Sequence, residues 1–520
     1  LRVIAVLYSL YASIVFGVSG LFVLHLWAIE LLMVWSSMIR IPFCQEVVME
    51  NNRITFQGTL QQLLDKVESG EMVPKLQASH APPCKFWTAF QVINGIRHMA
   101  PVIHGPKGCT YSVASAYKMR GCEYRGVPLE PTSCTAQNEA DVVYGGEGKL
   151  LEAVKEADQR YHPDLIVILS CCCSGIVGDD VETIAHIAEQ EVNAQVLAIR
   201  SEGFGGDFRS GYEDAFKALM GLMEPRKEIM EGTINIIGAR EGPTYTEWVQ
   251  DLDELIRLVH AIGIKINGVL CGGCTLEQIR KAPSAQLNAS WCYDWGQKLG
   301  DLMEDRFDIP YARTGQPYGP VATEEWIMGV AKPLGLESQA QDVIRHEMSM
   351  VSDALDTLKF CFEDKTVLIE VAEFPGPIRA LSLAQMAKEF GAHPIIINLH
   401  PYTVKERMPS IKYLLEKGQN PEIILTKGLF ALGSFNVSSD TQGDVTAIAA
   451  QYEAETAGRA FYMGTPLRQP GIPQLNMTTI TGFPQYGYAG IRNIARLMES
   501  SLDNAFRPRS KLFRQVLYGD

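Results

Sequence analysis

Asp164-Leu-Ile-Val-Ile-Leu-Ser170, running into Cys171-Cys172-Cys173 and then Gly178-Asp179-Asp180, is the stretch that decides the fold. An unbroken aliphatic run closed by a small polar residue and a turn is the pattern of a strand buried on both faces. The helix-like segment Val181–Gln190 follows it, so strand leads to helix and the cysteines stand at the strand's carboxyl end. In open α/β sheets that edge is where ligands bind, because helix N-termini and loop amides converge there.

The same pattern recurs along the chain. Thr233-Ile-Asn-Ile-Ile-Gly238 leads through helix-like Trp248–Ile262 to Ile266–Cys271, and Thr366–Val371 leads through helix-like Ala380–Phe390 to Pro394–Leu399. Each is a βαβ pattern, and together they predict an α/β protein of three Rossmann-like domains, with parallel sheets flanked by helices. A length of 520 residues fits three domains of about 150 residues with an extension to spare. The expected divisions are a hydrophobic extension at 1–48, domains at 49–231 and 232–362, and a last domain at 363–520 that closes a pocket.

A formal net charge of −14 argues against nucleic acid, whose binding rests on Lys and Arg neutralising phosphates. Twelve cysteines in a chain this long are too sparse for a secreted disulfide framework, and three of them are consecutive. Reactive or metal-binding thiols in a reducing cytoplasm are the expectation. Leu1 to Ile39 carries only Arg2 and Glu30 as formal charges and is long enough to cross a bilayer. It reads as a membrane segment or as a mis-called start ahead of Met49.

Cys84 after Pro82-Pro83, Cys109 closing His104-Gly-Pro-Lys-Gly-Cys109, and Cys172 come from three separate segments, unlike a compact zinc ribbon. Iron–sulfur clusters accept thiolates from distant loops, and flanking Gly and Pro let the backbone turn close to cluster sulfurs. Three ligands leave a 4Fe–4S-type cluster one short, which points to a partner subunit. Buried thiols acting as small apolar residues are the alternative reading of the same spacing. His104, beside the Cys109 turn, could hydrogen-bond a cluster sulfur, though a satisfied structural histidine is the more common reading. Cys271-Gly-Gly-Cys274 has redox or metal spacing but lacks a second pair, and Gly145-Gly-Glu-Gly-Lys149 lacks the spacing and Ser/Thr of a P-loop. No nucleophile elbow and no HExxH are present.

Taken in order, His104–Cys109, Asn138-Glu-Ala-Asp-Val-Val-Tyr-Gly-Gly-Glu-Gly-Lys-Leu150 and Cys172-Cys-Ser-Gly-Ile-Val-Gly-Asp-Asp180 resemble the nitrogenase component 1 family, the cluster-carrying half of nitrogenase-like enzymes. The resemblance implies that Cys84, Cys109 and Cys172 bind one half of a cluster of P-cluster or 4Fe–4S type at an interface with a homologous beta-like subunit. It also implies a heterotetramer of two alpha-like and two beta-like chains, served by an ATP-dependent iron–sulfur reductase. Leu287-Asn-Ala-Ser-Trp-Cys292-Tyr-Asp-Trp, followed by Gly315-Gln-Pro-Tyr-Gly-Pro320, looks like the segment in which the alpha-type subunit presents a cysteine to a complex iron–sulfur cofactor. Read alone, Cys292 is a single core thiol; the resemblance makes it a ligand. Gly376 and Arg379, in Glu373-Phe-Pro-Gly-Pro-Ile-Arg379, fall where the alpha subunit has a loop against that cofactor.

The departures narrow the activity. The position of nitrogenase's cofactor-anchoring histidine falls near Met477, before Gly487-Tyr-Ala-Gly490, and no histidine follows His400. Glu202-Gly-Phe-Gly-Gly-Asp-Phe-Arg209-Ser-Gly-Tyr212 resembles the loop that holds nitrogenase's Gln and His, with neither residue present. Dinitrogen reduction is therefore disfavoured, since imidazole proton donors are central to stepwise protonation. The resemblance implies a nitrogenase-like oxidoreductase of the methylthio-alkane reductase type, working anaerobically on a small molecule, with Arg209, Tyr212 and Tyr486 as pocket candidates. A cofactor-maturation scaffold is the alternative, and nitrogenase proper ranks third.

Overall fold

Strand β1 (Ile54–Thr59) begins the part of the chain described by the computed structural model, which covers residues 54–72, 84–119, 132–239, 248–370, 377–399, 404–405, 408–426, 439–464, 472–476 and 484–506. The apolar extension expected at 1–48, and with it Gly376 and Met477, lies outside the described residues. Among those described, no helix is long and apolar enough to cross a membrane.

The first sheet holds β2 (Met99–His104), β3 (Ser133–Cys134), β4 (Leu165–Ser170) and β5 (Gln195–Ile199), in the spatial order β3-β2-β4-β5, all parallel. The predicted run is β4, and all six of its residues are buried. Its side chains alternate between two cores. Leu165, Val167 and Leu169 face the helix Lys85–Asn94, while Ile166 and Ile168 pack with Val154 and Ala185 from the helices Glu147–Tyr161 and Val181–Glu189. Burial on both faces is what an aliphatic run without polar alternation requires, at roughly 1.5–3 kcal/mol per large side chain.

The second sheet holds β6 (Met230–Ile237), β7 (Lys265–Val269), β8 (Ala285–Ser290) and β9 (Tyr311–Ala312), in the order β7-β6-β8-β9, again parallel. The third holds β10 (Thr366–Glu370), β11 (His393–Ile397), β12 (Glu422–Thr426), β13 (Ala460–Gly464) and β14 (Gln474–Asn476), in the order β12-β11-β10-β13-β14. One segment departs from the expected division. Ile54–Thr59, expected in the first domain, pairs antiparallel with β12 at the edge of the third sheet, from Ile54 opposite Thr426 to Thr59 opposite Glu422. The pairing covers an edge that would otherwise expose a row of free backbone groups. It lies within one compact unit that begins at Arg53.

All three sheets reverse their winding once. In the first, β2 connects outward to β3 and β4 outward to β5; in the second, β6 goes to β7 and β8 to β9; in the third, β10 goes to β11 and β13 to β14. Each therefore opens a crevice at the carboxyl ends of a central pair, β2/β4, β6/β8 and β10/β13, where a doubly wound sheet takes its ligand.

Candidate functional site

The first crevice gathers the cysteines expected to bind a cluster, and it does so at the beginnings of helices. Cys84 is the N-cap of Lys85–Asn94, Cys109 lies in the first turn of Lys107–Met119, and Cys172 opens Cys172–Val177 directly behind β4. Unpaired backbone N–H groups at such positions favour thiolate over thiol. The Cys172 sulfur also accepts the backbone N–H of Gly203 at 3.1 Å. Burial pushes the Cys84 thiol up, and negative charge at Cys172 and Cys109 adds to that, so the three sulfurs act on one another.

The triple cysteine resolves into three environments. Cys171 is buried, and its thiol hydrogen-bonds to Cys109, which holds Cys109 down to about 7 and pushes Cys171 well up. Gly105 is required beside it, since a Cβ there would come within 2.5 Å of the Cys171 Cβ. Cys172 and Cys173 are part-exposed. Among the described residues, no three His, Cys, Asp or Glu side chains are grouped to hold a single metal ion.

His104 takes the structural one of its two expected readings, and its ring nitrogens do not serve a sulfur. Its Nε2 meets Asp179 Oδ2 at 2.8 Å and its Nδ1 meets Thr135 Oγ1 at 3.1 Å, both fully inside the protein. Burial holds the imidazole below its usual range against the pull of Asp179. Asp179 also accepts Gln137 Nε2 and the backbone N–H of Gly146, each at 2.9 Å. The backbone carbonyl of His104 takes the Cys171 N–H at 3.0 Å and the Ser174 hydroxyl at 2.7 Å. Gly146, in the loop that superficially suggested phosphate binding, thus anchors this network. The network ties the segments behind β2, β3 and β4 together, so the thiols sit on a rigid base.

The mouth of this crevice is apolar and open. Tyr111, Val143, Tyr144 and Ile176 are 74%, 71%, 87% and 75% exposed, on the helices that carry or adjoin Cys109 and Cys172.

The second crevice is closed. Cys292 leaves β8 as the N-cap of the helix Tyr293–Phe307 and is only 1% exposed. Gly238, at φ +77° behind β6, lets the two segments meet, because a Cβ there would lie 2.5 Å from the Cys292 carbonyl oxygen. The Cys292 sulfur accepts Nε2 of Gln316 at 3.1 Å. Above it Tyr486 lies between Trp291 and Tyr318, at ring distances of 5.8 and 5.0 Å. Burial pushes the Tyr486 phenol far up; Tyr318 and Cys292 add to the shift, and the Arg379 guanidinium opposes it. Arg379 Nη2 donates to Gln485 Oε1 at 3.2 Å, and the Asp251 carboxylate accepts the Tyr486 backbone N–H at 3.0 Å. Cys292, Arg379 and Tyr486 are thus brought to one place from three parts of the chain.

Tyr212 is buried on the helix Phe208–Met220, its ring 4.6 Å from Trp295 in the first turn after Cys292 and 4.5 Å from Phe216. Arg209, one turn earlier, is buried as well. The segment from Gly203 to Tyr212 therefore runs from the Cys172 sulfur to the helix that Cys292 caps. Sequence reasoning missed Gln316, Trp291, Tyr318 and Asp251. Of these, Gln316 and Tyr318 carried a faint signal, as side chains inside the Gly- and Pro-framed stretch Gly315–Pro320.

Residues 84–503 match the family of nitrogenase component 1 type oxidoreductases. The chain belongs to that family, as an alpha-like member. It is 28% identical over 349 residues to the nitrogenase molybdenum-iron protein alpha chain of Clostridium pasteurianum, a match that takes in 64% of this chain and 63% of that one. It is 24% identical over 478 residues to the nitrogenase iron-molybdenum cofactor biosynthesis protein NifE of Nostoc, covering 86% of this chain and 91% of that one. The solved structure of nitrogenase Cp1 at pH 5 shares the fold, with a TM-score of 0.63 at 21% identity over 86% of this chain and 98% of that one. The chain thus spans somewhat under two thirds of the Clostridium alpha chain. The family binds iron–sulfur clusters.

Proposed function

We propose that the chain is the alpha-like subunit of a nitrogenase-like reductase that cleaves the carbon–sulfur bond of methylthio-alkanes. The observation that carries this reading is the second crevice: a buried thiol at a helix N-cap, lined by aromatic rings, with a guanidinium and a carboxamide beside it. These residues fit an anionic iron–sulfur group. Cys292 would hold it, Arg379 would compensate its charge, and the carbonyl of Gln316, which has no partner among the described residues, leaves polar capacity unused. The first crevice fits a second cluster, held by Cys84, Cys109 and Cys172 at an interface with a beta-like subunit whose own thiols complete it. The apolar rim of Tyr111, Val143, Tyr144 and Ile176 supports that interface.

An ATP-dependent iron–sulfur reductase would deliver electrons singly to the first crevice, and the segment from Gly203 to Tyr212 would connect it with the second. When bound at Cys292, the cofactor would supply the low-potential electrons that break the bond. The residues of this chain position the thioether, exclude water with Trp291, Tyr318 and Tyr486, and set the local charge. The reaction takes two electrons and two protons per thioether and gives a thiol and a hydrocarbon.

The extended match to the NifE protein favours a second reading, a scaffold on which a cofactor is matured. One experiment separates the two. The complex is purified anaerobically with its partner subunit, its metals are counted, and ethylene or methane release from methylthio-alkanes is followed with reductase and ATP. Turnover establishes the reductase; a metal-loaded, inert complex that donates its cluster to an apoprotein establishes the scaffold.

A further inference from the structure

Gln316 stands between the loop Gly315–Pro320 and the second crevice, 2% exposed. Its two polar atoms are used unequally. Nε2 donates to the Cys292 sulfur at 3.1 Å, while Oε1 is buried and accepts no hydrogen bond from any of the described residues. A buried carbonyl without a donor is an unfavourable arrangement in a folded chain, and such groups are rare enough to need an explanation. A purely structural role would be served better by an apolar residue of the same size, since a thiol sulfur is a weak acceptor and needs little from its neighbour.

We propose that Gln316 is a positioning residue for the group bound through Cys292. Its amide N–H fixes the orientation of the cysteine sulfur, and its carbonyl accepts a hydrogen bond from an O–H, N–H or S–H donor on the molecule lodged beside that sulfur. The inference rests on the reading of Cys292 as the cofactor ligand and extends it to the chemistry of what is bound: a hydrogen-bond donor must lie next to the sulfur-bound metal. Bulk solvent does not supply that donor, because Gln316 is buried. Hydrogen bonds to ligating sulfur also raise the reduction potential of an iron–sulfur group by stabilising its more negative state. Gln316 therefore sets both the orientation of the bound group and its potential.

Two other polar side chains of this crevice are already engaged by described residues. Gln485 is engaged by Arg379. Asp251 is occupied by the backbone N–H groups of Gln485 and Tyr486.

The test uses Gln316→Leu, which keeps the volume and removes both polar atoms, and Gln316→Glu, which keeps an acceptor and removes the donor to sulfur. The first readout needs no cofactor. Thermal unfolding of the metal-stripped complex should show Gln316→Leu at least as stable as the parent, because an unsatisfied buried carbonyl has been removed. The second readout is taken on the loaded complex. Both variants should retain the first-crevice cluster, and Gln316→Leu should shift the midpoint potential of the Cys292-bound group to more negative values with an altered electron paramagnetic resonance signal. Gln316→Glu should lose most of that group's metal, because it places a carboxylate against a thiolate.

A lowered unfolding temperature for Gln316→Leu in the metal-stripped complex would make Gln316 a structural residue and overturn the proposal. So would an unchanged potential and spectrum in the loaded one. A parent complex with no metal at Cys292 would instead overturn the reading of Cys292, a separate outcome seen before any variant is made.

Discussion

The first and second sheets are wound alike and place a cysteine-bearing helix at the same edge, yet one crevice opens to solvent and the other is sealed. Cys172 is part-exposed among Tyr144 and Ile176, whereas Cys292 is closed in by Trp291, Tyr318 and Tyr486. The first stands on a polar network of His104, Asp179, Gln137 and Thr135; the second is walled by aromatic rings. One topology thus yields two chemical settings. A thiolate group at a surface can share a cluster with a second chain and exchange electrons across the contact. A buried one can keep water from a reducing reaction. On the proposed reading, exposure, more than the cysteine itself, divides the roles of relay and reaction site.

The largest effect should come from breaking the second crevice alone. Cys292→Ala should abolish metal binding there and all turnover, while the first-crevice cluster keeps its spectrum. Metal analysis with electron paramagnetic resonance of the anaerobic complex measures both, and loss of both signals would mean that the two crevices are not separate sites.

Next in size is a change beneath the first crevice. Asp179→Ala removes the acceptor for His104, Gln137 and Gly146 together; the buried Gly146 N–H loses that partner, and His104 Nε2 and Gln137 Nε2 keep only their 3.3 Å contact with each other. At about 1–3 kcal/mol for the group left unsatisfied and less for the two that keep each other, the chain should lose roughly 3 kcal/mol, measured by denaturant unfolding. The first-crevice cluster should be lost with it and Cys292 should keep its metal. Equal loss at both sites would break the comparison.

The contrast between the crevices was only partly legible in the sequence. The β4 run and the Gly- and Pro-marked cysteines of the first crevice are local patterns, and local patterns survive without knowledge of packing. What they could not give is the partner of His104. Asp179 lies far along the chain, and the two meet only because β2 and β4 pair in register, from Met99 opposite Leu165 to His104 opposite Ser170. The second crevice is built almost wholly from such distant contacts. Asp251 and Tyr486 are 235 positions apart, and a single buried cysteine carries no spacing to read, so Cys292 stood out only through resemblance. Ile54–Thr59 eluded sequence reasoning for the same reason, because which sheet a short edge strand joins is decided by tertiary contact.

The third crevice extends the comparison with a carboxylic acid in place of a thiol. Glu370 ends β10, is 3% exposed and takes the Tyr462 hydroxyl of β13 in a short hydrogen bond. Burial pushes its carboxyl up to about 7, with the Tyr462 bond opposing the shift. Between the usual carboxylate range and 7 the folded chain holds a proton that the unfolded chain has released, so stability should fall as pH rises through that window and level off above it. The span is on the order of 3 kcal/mol. Burial pushes the Glu389 carboxyl up to about 7 as well, so Glu370→Gln should reduce this slope in denaturant titrations from pH 4 to 8 without abolishing it, and a variant that keeps the full slope would assign it to another group.

The smallest effect on the chain itself should follow from charging the rim of the first crevice. Tyr144 and Ile176 are 87% and 75% exposed, so replacing both with Lys touches little of the fold and should change its stability by no more than about 0.5 kcal/mol. Association is another matter. If this crevice is shared with a beta-like chain, two buried ammonium groups at the contact should weaken the complex at least tenfold in sedimentation analysis, because charges at the centre of an apolar interface are desolvated without partners. The first-crevice cluster should then be lost in proportion to the dissociated fraction, while Cys292 keeps its metal. An intact complex with both lysines in place would leave the open crevice without its partner, and the division between an exposed relay and a sealed reaction site would have to rest on Cys292 alone.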